Sequence, residues 1–282
     1  MKNIMTNAWD DWLERSSASA PKDSPVDEEG FVLCSRCRTR KQRDIEVCGR
    51  TMRVGQLCAC EVEAHDKERR ARQAREERAR IERLRKTGIS DPTYLKCCFG
   101  ADTAPESQAS RIARAYVEHW ADMQAQSYGL LFYGPVGTGK SFYAACIANA
   151  LIDRGERVLM TNTLKILDKL NALSFDAEKA EFIGGLSKNK LLILDDVGAE
   201  NLTAHASAQL FNVVDTLSRA QTPLIITSNC SMDQLISPGD MGRERIYDRL
   251  LERCRAVKLE GVSRRKKQSM AVSSQMHQIL GV

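Results

Sequence analysis

Residues Gly134–Ser141 read GPVGTGKS, and this octapeptide decides the fold. It satisfies G-x-x-x-x-G-K-[ST] in full. YGLLFYG (128–134) leads into it as an apolar strand, and KSFYAACIANALID (140–153) leaves it as a helix. That strand–loop–helix setting separates a phosphate loop from a chance glycine-rich turn. Glycines let successive backbone N–H groups face a phosphate, and the helix N-terminus adds positive potential. The candidate nucleotide-binding residues are therefore Gly134, Pro135, Val136, Gly137, Thr138, Gly139, Lys140 and Ser141. Lys140 is expected to reach the β- and γ-phosphates of ATP, and Ser141 to coordinate Mg2+.

Downstream, RVLMTN (157–162), KLLILDD (190–196), TPLIITSN (222–229) and AVKLEG (256–261) read as strands. Between them, residues 163–173, 204–219 and 243–254 carry helical patterns. Five strands alternating with helices predict a mostly parallel sheet covered on both faces. KLLILDD is almost wholly apolar until its end, as a central parallel strand should be. Its end places Asp195 and Asp196 beside the phosphate loop. Acids there need metal, water or hydrogen bonds. Asp195 is the candidate Mg2+-side carboxylate, and Asp196 the candidate for orienting the attacking water; capping the next turn is the competing role. Asn229, at the tip of TPLIITSN, is a candidate for positioning water or sensing the γ-phosphate, against a plain turn role. Thr227 and Ser228 are weaker candidates.

The helix at 243–254 offers Arg245 and Arg249, four apart and hence on one face. A guanidinium supplied across a subunit boundary would stabilise charge on the transferred phosphoryl. Pairing with Glu244, Asp248 or Glu252 is the competing reading. In SRRKK (263–267), Arg264 or Arg265 folds back onto the nucleotide, or the cluster meets DNA backbone or solvent.

The 282 residues suffice for one large core plus a small module. A net charge of +5 permits an acidic partner such as nucleic acid without requiring one. The sequence has no apolar run of the roughly 20 residues that a membrane span needs. The first residues carry acids and two tryptophans, Trp9 and Trp12, where a secretory signal would be apolar. A cytoplasmic protein with reduced cysteines is expected. Five of the ten cysteines fall in CSRCRTRKQRDIEVCGRTMRVGQLCAC (34–60). Cys34 and Cys37 form a C-x-x-C knuckle suited to tetrahedral zinc. Cys48, Cys58 and Cys60 compete for the other two positions, and His65 is a remoter candidate. Residues 61–86 form a charged helix, which Gly88 is expected to cap. Ile112, Tyr116, Trp120 and Met123 mark an amphipathic helix within 108–127, expected to pack on the core.

GPVGTGKS, LLILDDVG, the TSN strand tip and ERIYDRLLER, in this order, resemble the DnaC/IstB-like AAA+ ATPases over about residues 105–265. The resemblance implies a P-loop NTPase of AAA+ type, with a five-stranded parallel sheet and no helical lid. It implies that Asp195 is the Walker B metal residue, Asp196 the neighbouring catalytic acid, and Asn229 the sensor 1 residue. It makes Arg249 the best match to the arginine finger, with Arg245 as alternative, and Arg265 the sensor 2 match, although the usual tyrosine before it is missing. Some members carry C-x-x-C followed later by C-x-C, which implies Cys34, Cys37, Cys58 and Cys60 as zinc ligands.

The expected organisation is an N-terminal arm (1–30), a zinc-binding partner module (31–60), a charged linker helix and connection (61–104), the ATPase domain (105–270) and a tail (271–282). The function implied is loading of the replicative DNA helicase. ATP and Mg2+ would bind between self-associating subunits, single-stranded DNA would be gripped, and the N-terminal module would hold the helicase. The alternative is a transposition helper that binds duplex DNA and recruits a transposase.

Overall fold

Continuous apolar runs become the strands of one sheet because both of its faces are covered. The computed structural model describes residues 24–47, 49–198, 203–261, 263–264, 272–273 and 276–280. Trp9, Trp12, Cys48 and Arg265 lie outside these. The chain divides into two units, Met1–Glu77 and Arg78–Val282.

The first unit holds an antiparallel hairpin of β1 (Gln42–Val47) and β2 (Arg50–Gly55). Ahead of it, Phe31 is buried between two guanidiniums, with Arg40 at 4.3 Å and Arg53 at 3.9 Å from the ring centre. Asp27 holds Arg40 at 2.6 Å, and Asp44 holds Arg53 at 3.1 Å. Cations over an aromatic face do the packing that aliphatic residues would do in a larger core. Helix α1 (Ala59–Gly88) begins in this unit and is predominantly exposed and charged, as expected.

In the second unit come α2 (Gln108–Glu118), α3 (Trp120–Ala125), β3 (Gly129–Tyr133), α4 (Lys140–Asp153), β4 (Val158–Asn162), α5 (Thr163–Ala172) and α6 (Asp176–Ser187). After them come β5 (Leu191–Asp195), α7 (Ala204–Arg219), β6 (Leu224–Ser228), α8 (Met232–Ile236), α9 (Met241–Leu251) and β7 (Cys254–Lys258). The sheet order is β4-β5-β6-β3-β7, all parallel. Alternate residues of each strand feed different cores. Leu130, Phe132, Leu191, Ile193 and Ile225 join Tyr143, Ile147 and Leu151 of α4 on one face. Leu131, Leu192, Leu194 and Ile226 join residues of α5, α6, α7 and α9 on the other. The amphipathic stripe does pack: Tyr116 and Trp120 are buried in the first core, although the helix breaks at His119. No lid domain follows β7 among the described residues, and none of their helices is long and apolar enough to cross a membrane.

The last turns of α1 belong to the second unit, where Ile81 and Leu84 pack on the first core. Gly88 is not the expected cap. It is the last residue of α1, buried and not at positive φ, and a Cβ there would sit 2.2 Å from the Val158 carbonyl oxygen. Glycine is required by close approach to β4, not by a left-handed turn. Gly88→Ala gains up to about 1 kcal/mol of helix propensity. It must also push backbone against backbone, and such overpacking costs about 1–3 kcal/mol. The clash should win, and chemical denaturation of Gly88→Ala should show a net loss of stability; unchanged or raised stability would refute the close-approach account.

Candidate functional site

Three strand ends and one helix start converge on a cavity of about 720 Å³. Lys140, Ser141, Asp195, Asp196, Thr227, Asn229 and Arg264 all line it. The phosphate loop joins β3 to α4 with Gly134, Gly137 and Gly139 at φ of 133°, 82° and 105°. Side-chain-bearing residues rarely adopt such angles. At Gly134 a Cβ would also fall 2.2 Å from the Leu259 carbonyl oxygen of the segment after β7. Lys140 is buried, and its Nζ donates to the carbonyls of Gly134 at 2.9 Å and Pro135 at 2.8 Å. A glycine-rich loop lining the cavity, with an ammonium folded against it and a helix N-terminus behind, suits a polyphosphate.

β6 lies between β3 and β5, so its tip bridges the phosphate loop and the acids. Thr227 is buried and does more than its weak sequence ranking suggested. Its hydroxyl donates to Asp195 Oδ1 at 2.6 Å and accepts from the Asp196 N–H at 2.8 Å. Asp196 has a φ of 60°. That left-handed conformation costs a non-glycine residue roughly 1–2 kcal/mol, and it is held there by the Thr227 bond and by the Asn229 side-chain amide, which donates to Asp196 Oδ1. Asp195, Asp196 and Asn229, linked through Thr227, thus form one hydrogen-bonded edge that lines the same cavity as Lys140 and Ser141.

A second wall comes from residues that sequence reasoning assigned to the connection. Thr93, Tyr94 and Cys97 line the cavity, and Tyr94 Oη donates to Asp195 Oδ2 at 2.8 Å. Burial, then the negative charge of Asp195, pushes the Tyr94 hydroxyl up to about 12, so it remains a donor at neutral pH. No regular pattern marks this stretch; only the short spacing to a capped turn, Asp91-Pro92, hints at structure.

Arg264 is the residue of SRRKK found at the cavity, while Arg265 lies outside the described residues. The Arg264 guanidinium donates to Tyr143 Oη at 3.1 Å and stands 3.7 Å from Asp102, and its amide donates to the Gly137 carbonyl at 2.8 Å. The Asp102 side chain is fully buried. Burial opposes its charge, but hydrogen bonds from Ser110, Ala104 and Tyr143 and the charge of Arg264 hold its carboxyl below the ordinary range. Arg245 and Arg249 do not line this cavity. Both are exposed on α9; Arg249 lies 3.6 Å from Glu252 and 4.0 Å from Asp215, close to the local pairing foreseen as its competing role.

In the first unit, Cys34, Cys37, Cys58 and Cys60 bring their sulfurs within 4.8 Å of one another. A tetrahedral thiolate site with zinc–sulfur bonds of about 2.3 Å needs sulfurs roughly 3.8 Å apart, so the four fit a metal such as zinc. Cys34 and Cys58 are buried. The Thr39 hydroxyl and backbone N–H groups draw the Cys37 thiol down to about 5, whereas burial and neighbouring thiols push Cys58 up to about 12. The amide of Cys58 is held by Glu61, which Lys41 also pairs at 2.7 Å. His65 is exposed on α1 and stands apart from the cluster.

A sequence model of the IstB-like ATP binding proteins matches residues 63–272. An IS21-like insertion-sequence protein of Bacteroides fragilis, named for ATP binding, is 26% identical over 211 residues, 74% of this chain and 78% of that one. The replicative helicase loader DnaC of Escherichia coli K12 is 28% identical over 164 residues, 56% of this chain and 64% of the loader. The crystal structure of the DnaC helicase loader superposes with a TM-score of 0.52 at 19% identity, covering 60% of this chain and all of that one. At that identity the superposition speaks for the fold.

Proposed function

The chain belongs to the family of IstB-like ATP-binding proteins, and from that premise we propose that it is an ATP-switched helper of DNA transposition, binding duplex DNA and recruiting a transposase. It is an AAA+ ATPase related to both the IstB and DnaC proteins. The observation that carries the enzymatic part is the single cavity shared by Lys140, Ser141, Asp195, Asp196 and Asn229.

ATP would supply the phosphoryl group and Mg2+ the charge neutralisation at that cavity. The amides of Gly134–Ser141 and the Lys140 ammonium would bind the phosphates. Ser141 and Asp195 would stand on the cation side. Asp196, held by Asn229, would orient water for attack. Arg264, which lines the cavity, would meet the phosphates; the sequence leaves that fold-back open between Arg264 and Arg265, and the family resemblance matches Arg265. Arg249 or Arg245 would act on a neighbouring subunit's nucleotide, since neither faces its own. Cys34, Cys37, Cys58 and Cys60 would hold zinc in the partner-binding module. In the reducing cytoplasm these thiols would stay available to the metal.

The choice of partner departs from the order in which sequence reasoning put them. Helicase loading came first there, but the IstB-like match spans 63–272, and the insertion-sequence relative aligns over more of the chain than the loader does. Helicase loading remains the second reading, favoured by the DnaC relative. Retention assays on the full chain with ATP, with ADP and without nucleotide test the two. The expected result is ATP-dependent binding of duplex DNA and retention of the cognate transposase. Retention of the replicative helicase with single-stranded DNA instead would reverse the order.

A further inference from the structure

We propose that Tyr94 is a positioning residue for the divalent cation that accompanies ATP, its hydroxyl and that of Thr227 together orienting the Asp195 carboxylate toward Ser141. The proposal rests on the reading of Asp195 as the cation-side carboxylate.

Tyr94 lies in the 3-10 turn Pro92–Lys96. That turn is fixed at both ends. Asp91 caps it by accepting from the Thr93 N–H at 2.9 Å, and Pro92 opens it with a preset backbone angle. From α4, the buried Asn149 side chain donates to the Tyr94 carbonyl at 2.8 Å and the Cys97 carbonyl at 3.0 Å. The turn is thereby tied to the helix that begins with Lys140 and Ser141. From this anchored position, Tyr94 Oη reaches Asp195 Oδ2 at 2.8 Å while Thr227 Oγ1 reaches Oδ1 at 2.6 Å.

One hydroxyl on each oxygen fixes the plane of the carboxylate and leaves each oxygen a further lone-pair direction. Mg2+ demands near-octahedral geometry, keeps several waters, and is commonly held through one or two carboxylates plus phosphate oxygens. The tilt of Asp195 therefore decides whether its free lone pairs meet the cation's shell. A carboxylate fixed at only one oxygen can rotate away; one fixed at both cannot. Outer partners of this kind typically contribute about 10- to 100-fold to metal affinity.

Tyr94→Phe removes the hydroxyl and leaves the ring, so packing of the turn is preserved. Binding of a non-hydrolysable ATP analogue to the full chain would be measured against Mg2+ concentration and again in excess EDTA. Tyr94→Phe should raise the Mg2+ needed for half-maximal enhancement about tenfold, with affinity in EDTA and melting temperature unchanged. Asp195→Asn serves as reference and should lose the Mg2+ enhancement altogether. If Asp195→Asn loses it while Tyr94→Phe matches the unaltered protein, the Tyr94 proposal is overturned and the Asp195 reading stands. If Asp195→Asn responds normally to Mg2+, the Asp195 reading falls and takes the proposal with it. If Tyr94→Phe weakens binding equally in EDTA, the hydroxyl serves the nucleotide rather than the cation, which also overturns it.

Discussion

Lys140→Ala should lose measurable ATP turnover and bind ATP at least about a hundredfold more weakly. The Lys140 ammonium is buried at the mouth of the phosphate loop and reaches the carbonyls of Gly134 and Pro135. Bound phosphates would take over that ammonium as their partner. Hydrogen bonds to charged groups contribute about 1.5–3 kcal/mol each, so two phosphate contacts amount to about 3–6 kcal/mol. At 1.4 kcal/mol per tenfold, that is a factor of a hundred or more. The substitution also removes two contacts within the loop, so the melting temperature must be compared alongside. Turnover at the level of the unaltered protein would sink the assignment of the cavity as the ATP site.

Chelation should produce the second large effect, and in a different part of the chain. Among the described residues of the first unit, Phe31, Cys34 and Cys58 are the buried hydrophobic ones. The stretch of residues 24–58 ahead of α1, with so small a core, lies below the roughly 40 residues at which a metal or another staple is usually needed. Metal binding to a structural thiolate site contributes apparent free energies of about 10–16 kcal/mol, enough to carry folding by itself. About one zinc per chain is therefore expected, and a strong chelator should abolish amide protection in β1 and β2. ATP binding, which belongs to the second unit, should survive. Cys58→Ala should reproduce the loss, whereas Cys48→Ser should retain the metal. Persistent hairpin protection after complete metal removal would contradict the folding role, and metal loss from Cys48→Ser would reassign the ligand set.

The ATPase core was legible because its strands are buried on both faces and therefore written as apolar runs. GLLFY, LLILD and LIITS became β3, β5 and β6, and the helix over residues 140–153 took the span its composition suggested. That Asp195, Asp196 and Asn229 come together at the phosphate loop was legible too, because polar residues ending such runs have few alternatives. Other parts were not. Helix α6 buries only Ile183 and Leu186, so it shows no apolar stripe. The β1–β2 hairpin is written largely in charges, and its half-buried positions, such as Ile45, Met52 and Val54, are thinly spread. Tyr94 and Thr227 were missed or underrated because their importance is tertiary. A hydroxyl gains a role from what lies 2.8 or 2.6 Å away, and neither residue belongs to a phosphate-loop motif.

The Pro92–Lys96 turn also constrains how such proteins can be recombined. An exchange of N-terminal modules between relatives at residue 105, where the motif-bearing region begins, would discard Thr93, Tyr94 and Cys97 and leave one wall of the cavity to a foreign sequence. A junction before Arg78 keeps that wall, the Asn149 anchor and the Gly88 contact together. Chimeras spliced at the earlier position should keep the recipient's nucleotide chemistry. The wall of the nucleotide cavity thus draws on a stretch that reads, in the sequence, as a mere connection.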